Sequence, residues 1–207
     1  MKKLLLILFL SILNINLFAY DDEDEEKPIN SFVPFVDLSY NIPINEFGIK
    51  WNNGAGLHGG LFYMLDKSTA LSLHGGYSFY NATNDDVNHK YLLSDIPVFA
   101  GLNYFFRKSP SEFQWFIGAE FGVHILKKRT QLQQTTNNIT TTNTSYQGTS
   151  CFGYGPYAGF VMPLYWDFNL ICTGKYTFIS GSEWIVYDGT PFTVSHISLN
   201  AGISIAF

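Results

Sequence analysis

Three polar side chains near the end of the chain have the types and spacing that nucleophilic catalysis uses. His196, Ser198 and Asn200 alternate with the apolar residues Ile197 and Leu199. In an extended strand the three polar side chains lie on one face and the two apolar ones on the other. A histidine beside a serine can act as its general base, so the pattern allows a hydrolytic site on the polar face of a strand.

The ionisable residues that fall on the polar faces of predicted strands are few. The expected internal network consists of Asp37, Asp95, Glu120, Lys175 and His196, with further histidines at His58, His74 and His124. Buried charges are tolerated when they are paired, so Lys175 is expected to pair with Glu120 or Asp37. This interpretation competes directly with the catalytic one.

Basic and metal-binding residues give weaker signals. Lys127, Lys128 and Arg129 form a cluster that could bind phosphate groups or could simply be the basic end of a loop. The histidines are scattered and Cys151 and Cys172 lie apart from them, so no metal site and no cofactor are expected. A hairpin turn at residues 166–167 would place Cys172 opposite roughly residue 161, too far from Cys151 for disulfide geometry, so two free thiols are expected. A net charge of -5 without a basic stripe argues against a nucleic-acid partner.

The N-terminal segment has the features of a targeting sequence. Lys2 and Lys3 precede a short apolar run, and Ala19 offers a cleavage point, so residues 1–19 are predicted to be a signal peptide. The alternative is a membrane-anchoring helix, for which the apolar run is short. Residues 20–30 are acidic and are predicted to form a periplasmic linker.

Strand signals repeat from residue 31 to the end of the chain. The predicted strands are residues 32–40, 54–65, 70–80, 91–106, 113–126, 151–165, 168–179 and 192–207. Each shows period-two alternation, with an apolar row free of charge opposite a small or polar row. Pro97 suggests a bulge in the fourth strand.

The connections between these strands alternate between long and short. Residues 127–149 form the longest connection, and their Thr, Asn and Gln content predicts a mobile loop without regular structure. Aromatic residues concentrate near the strand ends, for example Trp115 and Phe168 near short turns and Tyr40, Trp51 and Tyr80 near long loops. Two aromatic belts match two membrane interfaces. The pattern predicts an all-β, eight-stranded antiparallel up-and-down transmembrane β-barrel over residues 31–207.

Three local patterns carry a resemblance to a known family. They are Ile96-Pro97-Val98, Gly153-Tyr154-Gly155 and the terminal Ile203-Ser204-Ile205-Ala206-Phe207. The chain resembles the small OmpA/OmpX-type outer-membrane β-barrels of Gram-negative bacteria. The resemblance implies an outer-membrane location with periplasmic termini. It also implies recognition of Phe207, Ile205 and Ile203 by the barrel assembly machinery.

The resemblance leaves activity open. We expect a porin-like monomer with a structural or surface-interaction role, in contact with outer-membrane lipid and lipopolysaccharide, and with an extracellular partner bound by the long loops. One alternative is a lipid A-modifying enzyme, because lipid A deacylases use a His-x-Ser-Asn run and this chain has His196, Ser198 and a displaced Asn200. The other is a barrel that binds a small ligand inside.

Overall fold

The computed structural model describes residues 32–83, 89–106, 113–136, 139–164, 167–180 and 194–205. The strands are β1 (Phe32–Ile44), β2 (Gly54–Met64), β3 (Thr69–Asn81), β4 (His89–Phe106), β5 (Gln114–Thr136), β6 (Ile139–Pro163), β7 (Phe168–Ser180) and β8 (Val194–Ile205), with one helix, α1 (Asn45–Lys50). The predicted signal peptide (1–19), the acidic linker (20–30) and Phe207 lie outside the described residues.

Each strand pairs antiparallel with the next, and β8 pairs with β1 to close the barrel. Closure removes both sheet edges, which an isolated sheet would leave unpaired in lipid. The predicted eight-stranded antiparallel up-and-down barrel is confirmed. The polarity of its wall follows from the alternation along each strand: Leu73 and Phe121 are both 59% exposed on the outside, whereas their neighbours His74 and Glu120 are buried inside.

An apolar outside and a polar inside are the reverse of a soluble barrel and match a membrane-spanning one. The lumen is packed in layers. A loop-end cluster closes one end and a turn-end cluster closes the other, and the polar side chains lie between them. The loop-end cluster is Phe47, Trp51, Tyr80, Ala82, Leu93, Leu126, Cys151, Ile179 and Val194. The turn-end cluster is Val33, Phe62, Met64, Ala70, Phe105, Phe116, Tyr157, Val161 and Ile171.

The prediction of an unstructured loop over residues 127–149 is wrong. Residues 127–136 continue β5 and residues 139–149 continue β6, paired from Lys127↔Gly148 to Thr136↔Ile139. Threonine is β-branched and favours strands, and a hairpin satisfies its own backbone hydrogen bonds without needing an apolar core. The composition is poor in apolar residues, with only Leu132, Ile139 and Tyr146 between residues 127 and 149, because this hairpin stands beyond the barrel.

The long connection after β1 contains structure that the strand pattern does not predict. β1 extends to Ile44, and α1 then turns across the loop end of the barrel and places Phe47 inside, 5.2 Å between ring centroids from Tyr80. Asn45 starts this turn with a positive φ of 55°, a conformation that asparagine adopts more readily than most residues. Among the described residues, no helix has the length and apolar character needed to cross a membrane.

Two aromatic residues assigned to the loop-end belt are instead part of the core. Trp51 is 2% exposed and Tyr80 is 1% exposed, and both belong to the loop-end cluster. The alternation explains Tyr80, because it follows the outward Phe79 and must point inward. Tyr40, Trp115 and Phe168 do lie on the exposed outer face.

Pro97 does not produce a bulge. The pairs Gly75↔Val98 and Ser78↔Asp95 keep one register on either side of it, and pairing is interrupted only between them. Proline lacks the N–H that a ladder bond needs, which accounts for a gap without an inserted residue. Cys151 faces the lumen and Cys172 lies on the outer wall, and both are free thiols, as expected.

Candidate functional site

The predicted internal network lies in the middle of the lumen, between the two apolar clusters. Glu120 on β5 and Lys175 on β7 meet there, with Lys175 Nζ donating to Glu120 Oε2 at 3.0 Å. His74 on β3 joins them, its Nε2 lying 3.1 Å from Lys175 Nζ and 3.3 Å from Glu120 Oε2. The Lys175 ammonium also lies 5.1 Å from the centre of the Tyr157 ring. The Glu120–Lys175 ion pair and His74 therefore connect three strands.

The other two carboxylates each pair with a histidine. Asp95 Oδ2 lies 2.8 Å from His124 Nδ1, and Asp37 Oδ1 lies 3.3 Å from His58 Nδ1. Pairing of this kind offsets part of the desolvation cost of a buried carboxylate. The sequence suggested partners for Lys175, but it gave no signal for which histidine each aspartate would meet, because that depends on strand register.

A chain of hydroxyl and amide groups extends the Asp37–His58 pair around the lumen. His58 Nε2 lies 3.2 Å from Ser78 Oγ, and Asn41 Nδ2 donates to the same Ser78 oxygen at 3.1 Å. Ser198 Oγ in turn donates to Asn41 Oδ1 at 2.6 Å. Ser78 and Asn41 were not foreseen as site residues, although the alternation along β3 and β1 places both inside.

The catalytic candidates do not form a nucleophile–base pair. The Ser198 hydroxyl donates a hydrogen bond to Asn41 Oδ1, and within the described residues no hydrogen bond joins Ser198 to His196. Asn200 Nδ2 donates to Thr173 Oγ1 at 2.7 Å. His196 is buried beside the Tyr80 ring, at 6.1 Å between centroids, and among the described residues no hydrogen bond joins it to a carboxylate of the predicted network.

Little free space remains around these groups. The cavity lined by His58, His74, Glu120, His124, His196 and other inward residues has a volume of about 20 Å³. That is room for about one water molecule, not for a substrate or an organic ligand. In the part of the chain that the structure describes, no cluster of histidine, cysteine or carboxylate side chains has the arrangement of a metal site.

The basic cluster at the loop end divides between two faces. The outward row of β5 changes from apolar to charged between Ile125 and Lys127, so the residues that follow lie beyond the apolar band. Lys127 is exposed and Arg129 is half-buried on the outward face, whereas Lys128 points inward and its Nζ lies 5.4 Å from the centre of the Tyr91 ring. Burial, and secondly the charge of Lys50, lower the pKa of the Lys128 ammonium.

Strand pairing adds a residue to this outward face. Lys90 on β4 is exposed and pairs with Gln131, and the pair Leu92↔Arg129 lies next to it. Lys90, Lys127 and Arg129 therefore share the outward face of β4 and β5 just beyond the apolar band. The sequence did not group them, because Lys90 is far from the other two along the chain.

The last strand closes the wall. Ile203 is exposed on the outer face between Val36 of β1 and Leu170 of β7, and Ile205 pairs with Phe168. The apolar row predicted for this strand is therefore part of the lipid-facing surface.

Comparison with solved structures identifies the architecture. Neisserial surface protein A matches with a TM-score of 0.54 at 15% identity, over 85% of this chain and 97% of that one. Ail, the attachment invasion locus protein of Yersinia pestis, solved in complex with the heparin analogue sucrose octasulfate, matches with a TM-score of 0.50 at 13% identity, over 84% of this chain and 97% of that one. This chain has the fold of the small eight-stranded outer-membrane β-barrels. No protein-family model and no curated protein matches the sequence.

Within the outer-membrane barrel fold, the features described above fall into three regions. The lumen holds the paired charges and is closed by apolar side chains at both ends. The wall is an apolar band. Among the described residues, the basic outward face and the β5–β6 hairpin lie beyond the band at the loop end.

Proposed function

We propose that this protein is an integral outer-membrane protein with periplasmic termini that acts by surface interaction and catalyses no reaction. The observation that carries the proposal is the β5–β6 hairpin, which stays paired beyond the apolar band from Lys127↔Gly148 to Thr136↔Ile139. At about 3.3 Å per residue this is roughly 30 Å of strand, far more than a tight connection requires.

The chemistry of the hairpin suits polar recognition. Residues 130–150 carry no charge and are rich in threonine, asparagine and glutamine, which can donate and accept hydrogen bonds. Tyr146 on β6 is 70% exposed and pairs with Arg129 on β5. An exposed tyrosine among small polar groups is a common composition for contact surfaces with proteins and carbohydrates.

The closed lumen supports a role outside the barrel instead of transport through it. The central cavity holds about one water molecule, and the loop-end and turn-end clusters lie on either side of it. A small-ligand barrel would need a much larger cavity, of the order of 300–1,000 Å³.

A binding screen tests the surface-interaction role. Purified protein in nanodiscs is presented to host matrix proteins, complement factors and envelope polysaccharides, beside a variant in which residues 130–147 are replaced by a short turn. A partner bound by the wild type and lost in the variant supports the proposal. If the variant still binds the partner, the binding site lies on another part of the surface.

Contact with lipopolysaccharide phosphate is a second proposal, supported by the shared outward face of Lys90, Lys127 and Arg129. Cations at this level can hold phosphate groups through charge-assisted hydrogen bonds. The variant Lys127→Gln/Arg129→Gln should release lipopolysaccharide at lower salt than the wild type. Lys128→Gln is the matched control, because Lys128 points inward; equal salt sensitivity of all three proteins would contradict the assignment.

The lipid A-modifying alternative has a direct test. Ser198 is hydrogen-bonded to Asn41 inside the lumen, whereas lipid acyl chains lie outside. We expect cells that produce His196→Ala and cells that produce the wild type to have identical lipid A acylation by mass spectrometry. A change in lipid A acylation caused by the His196→Ala substitution would restore the enzyme hypothesis.

A further inference from the structure

The lipid-facing wall is interrupted by a groove of about 800 Å³ across β4 to β8. Its floor consists of residues with compact side chains or none: Ala119, Pro156, Ala158 and Gly174. Larger side chains border it, namely Leu102, Tyr104 and Ile117 on one side and Tyr176 and Ile197 on the other.

Strand register brings the small residues together. Ala119 pairs with Pro156 and Ala158 pairs with Gly174, while Pro156 and Ala158 are neighbours on the outward face of β6. The space above the floor is open. A Cβ atom built on Gly174 would meet only a methyl carbon of Leu199, at 3.9 Å, which is ordinary van der Waals contact.

The groove begins beside a short turn and crosses the wall obliquely. Its lower end is at Thr69 and Tyr104, next to the turn before β3, and its far end is at Ile197 on β8. From β4 to β8 it crosses four inter-strand spacings, or about 19 Å. One leaflet contributes about 15 Å of hydrocarbon, and a tilted path is somewhat longer, so the groove has the length of a single lipid tail.

The groove is continuous with the apolar band, and the outward side chains around it carry no charge. Leu102, Ile117 and Tyr104 on its border are each about half exposed and form part of the same lipid-facing surface. A bare depression in that surface would leave its lining without contacts, whereas a hydrocarbon chain fills it with dispersion contacts. The lower end lies beside the turn before β3, and the headgroups of the short-turn leaflet are expected on that side of the barrel.

We propose that this groove binds one acyl chain of a phospholipid from the leaflet on the short-turn side, as a ligand held in a fixed position. The inference rests on the membrane placement in the proposed function, but not on the surface-interaction role. The shape of the groove holds the ligand, because the small floor residues allow the acyl chain to approach the backbone of β5, β6 and β7.

The test counts lipids that remain on the purified barrel. Protein is inserted into vesicles of phosphatidylethanolamine and phosphatidylglycerol, extracted in a mild detergent and weighed by native mass spectrometry. The wild type should retain one phospholipid. Ala158→Leu/Gly174→Leu fills the groove and should lower the lipid-bound fraction at least about tenfold. Ala201→Leu is the matched control, since Ala201 is exposed on the outer face of β8 and does not line the groove.

The outcomes separate the groove from the membrane placement. Normal insertion with equal lipid retention in all variants would overturn the groove alone, whereas failure of the wild type to insert would overturn both. A wild-type dimer that Ala158→Leu/Gly174→Leu converts to monomer would instead make this face a contact between copies. Ala119→Leu fills the groove from β5 and should also lower lipid retention. This single variant tests the groove if the double variant does not insert.

Discussion

Glu120 on β5 and Lys175 on β7 meet across the centre of the lumen, 3.0 Å between Oε2 and Nζ, with His74 of β3 in contact with both. Their strands are not neighbours, since β6 lies between them. The contact therefore passes over β6 through the interior, and His74 links it to β3, which lies opposite β7 in the ring of eight strands.

Removal of one member of this pair should destabilise the barrel more than removal of both. Lys175→Met leaves the Glu120 carboxylate buried without its cation, for which a cost of about 3–5 kcal/mol is typical. The double variant Lys175→Met/Glu120→Gln should recover a large part of that loss. Urea unfolding from lipid vesicles measures both, and equal destabilisation of the single and double variants would show that the pair is not coupled.

A charge on the lipid-facing wall should impair insertion according to position. Phe121→Lys places a charge near the middle of the outward row of β5 and should cost about 2–4 kcal/mol in a folding titration with vesicles. Ile203→Lys on β8 should cost less, because Ile203 pairs with Leu170 and lies closer to the turn end of the wall. Tyr146→Lys, on the hairpin beyond the band, is the control and should have little effect; Ser204, which is 0% exposed, is packed inside and cannot serve as one.

The orientation of the barrel can be measured with epitope insertions. A tag inserted between residues 137 and 138, in the connection from β5 to β6, should bind antibody on intact cells. A tag between residues 109 and 110, in a short connection, should bind only after the outer membrane is permeabilised. The opposite labelling pattern would place the termini outside.

The lumen should not conduct ions in a stable open state. Phe47 and Trp51 lie in the loop-end cluster, and Phe62 and Phe116 lie in the turn-end cluster. Side chains fill the interior of an eight-stranded barrel in this way. Planar-bilayer recordings should therefore stay near baseline, and a steady porin-sized current would contradict the sealed interior.

Deletion of Phe207 tests the assembly-signal hypothesis. Loss of one large apolar side chain costs only about 1.5–3 kcal/mol, so the variant should still fold in detergent. If the assembly machinery reads the terminal row of Ile203, Ile205 and Phe207, delayed closure should make the variant scarce in outer membranes. Quantitative immunoblots decide this, with Ile49→Ala, an exposed change on α1, as a control for expression.

The sequence by itself determined which side chains face lipid and which face the lumen. Period two is a local property of an extended chain, so Glu120 and Lys175 could be placed inside and Phe121 and Ile203 outside without knowledge of any contact. The same local rule places Tyr80 inward, as in the structure, so the prediction of Tyr80 in an aromatic belt conflicts with the alternation of its own strand.

Only the tertiary structure decided which inward groups meet. The pairing of Asp95 with His124 and of Asp37 with His58 depends on strand register, and the meeting of Glu120 with Lys175 depends on the registers of β5 and β7 on the β6 strand between them. These are long-range relationships that no local period contains. The hairpin beyond residue 127 was missed for a related reason: its stability comes from cross-strand pairing, which the polar composition of either strand alone does not reveal.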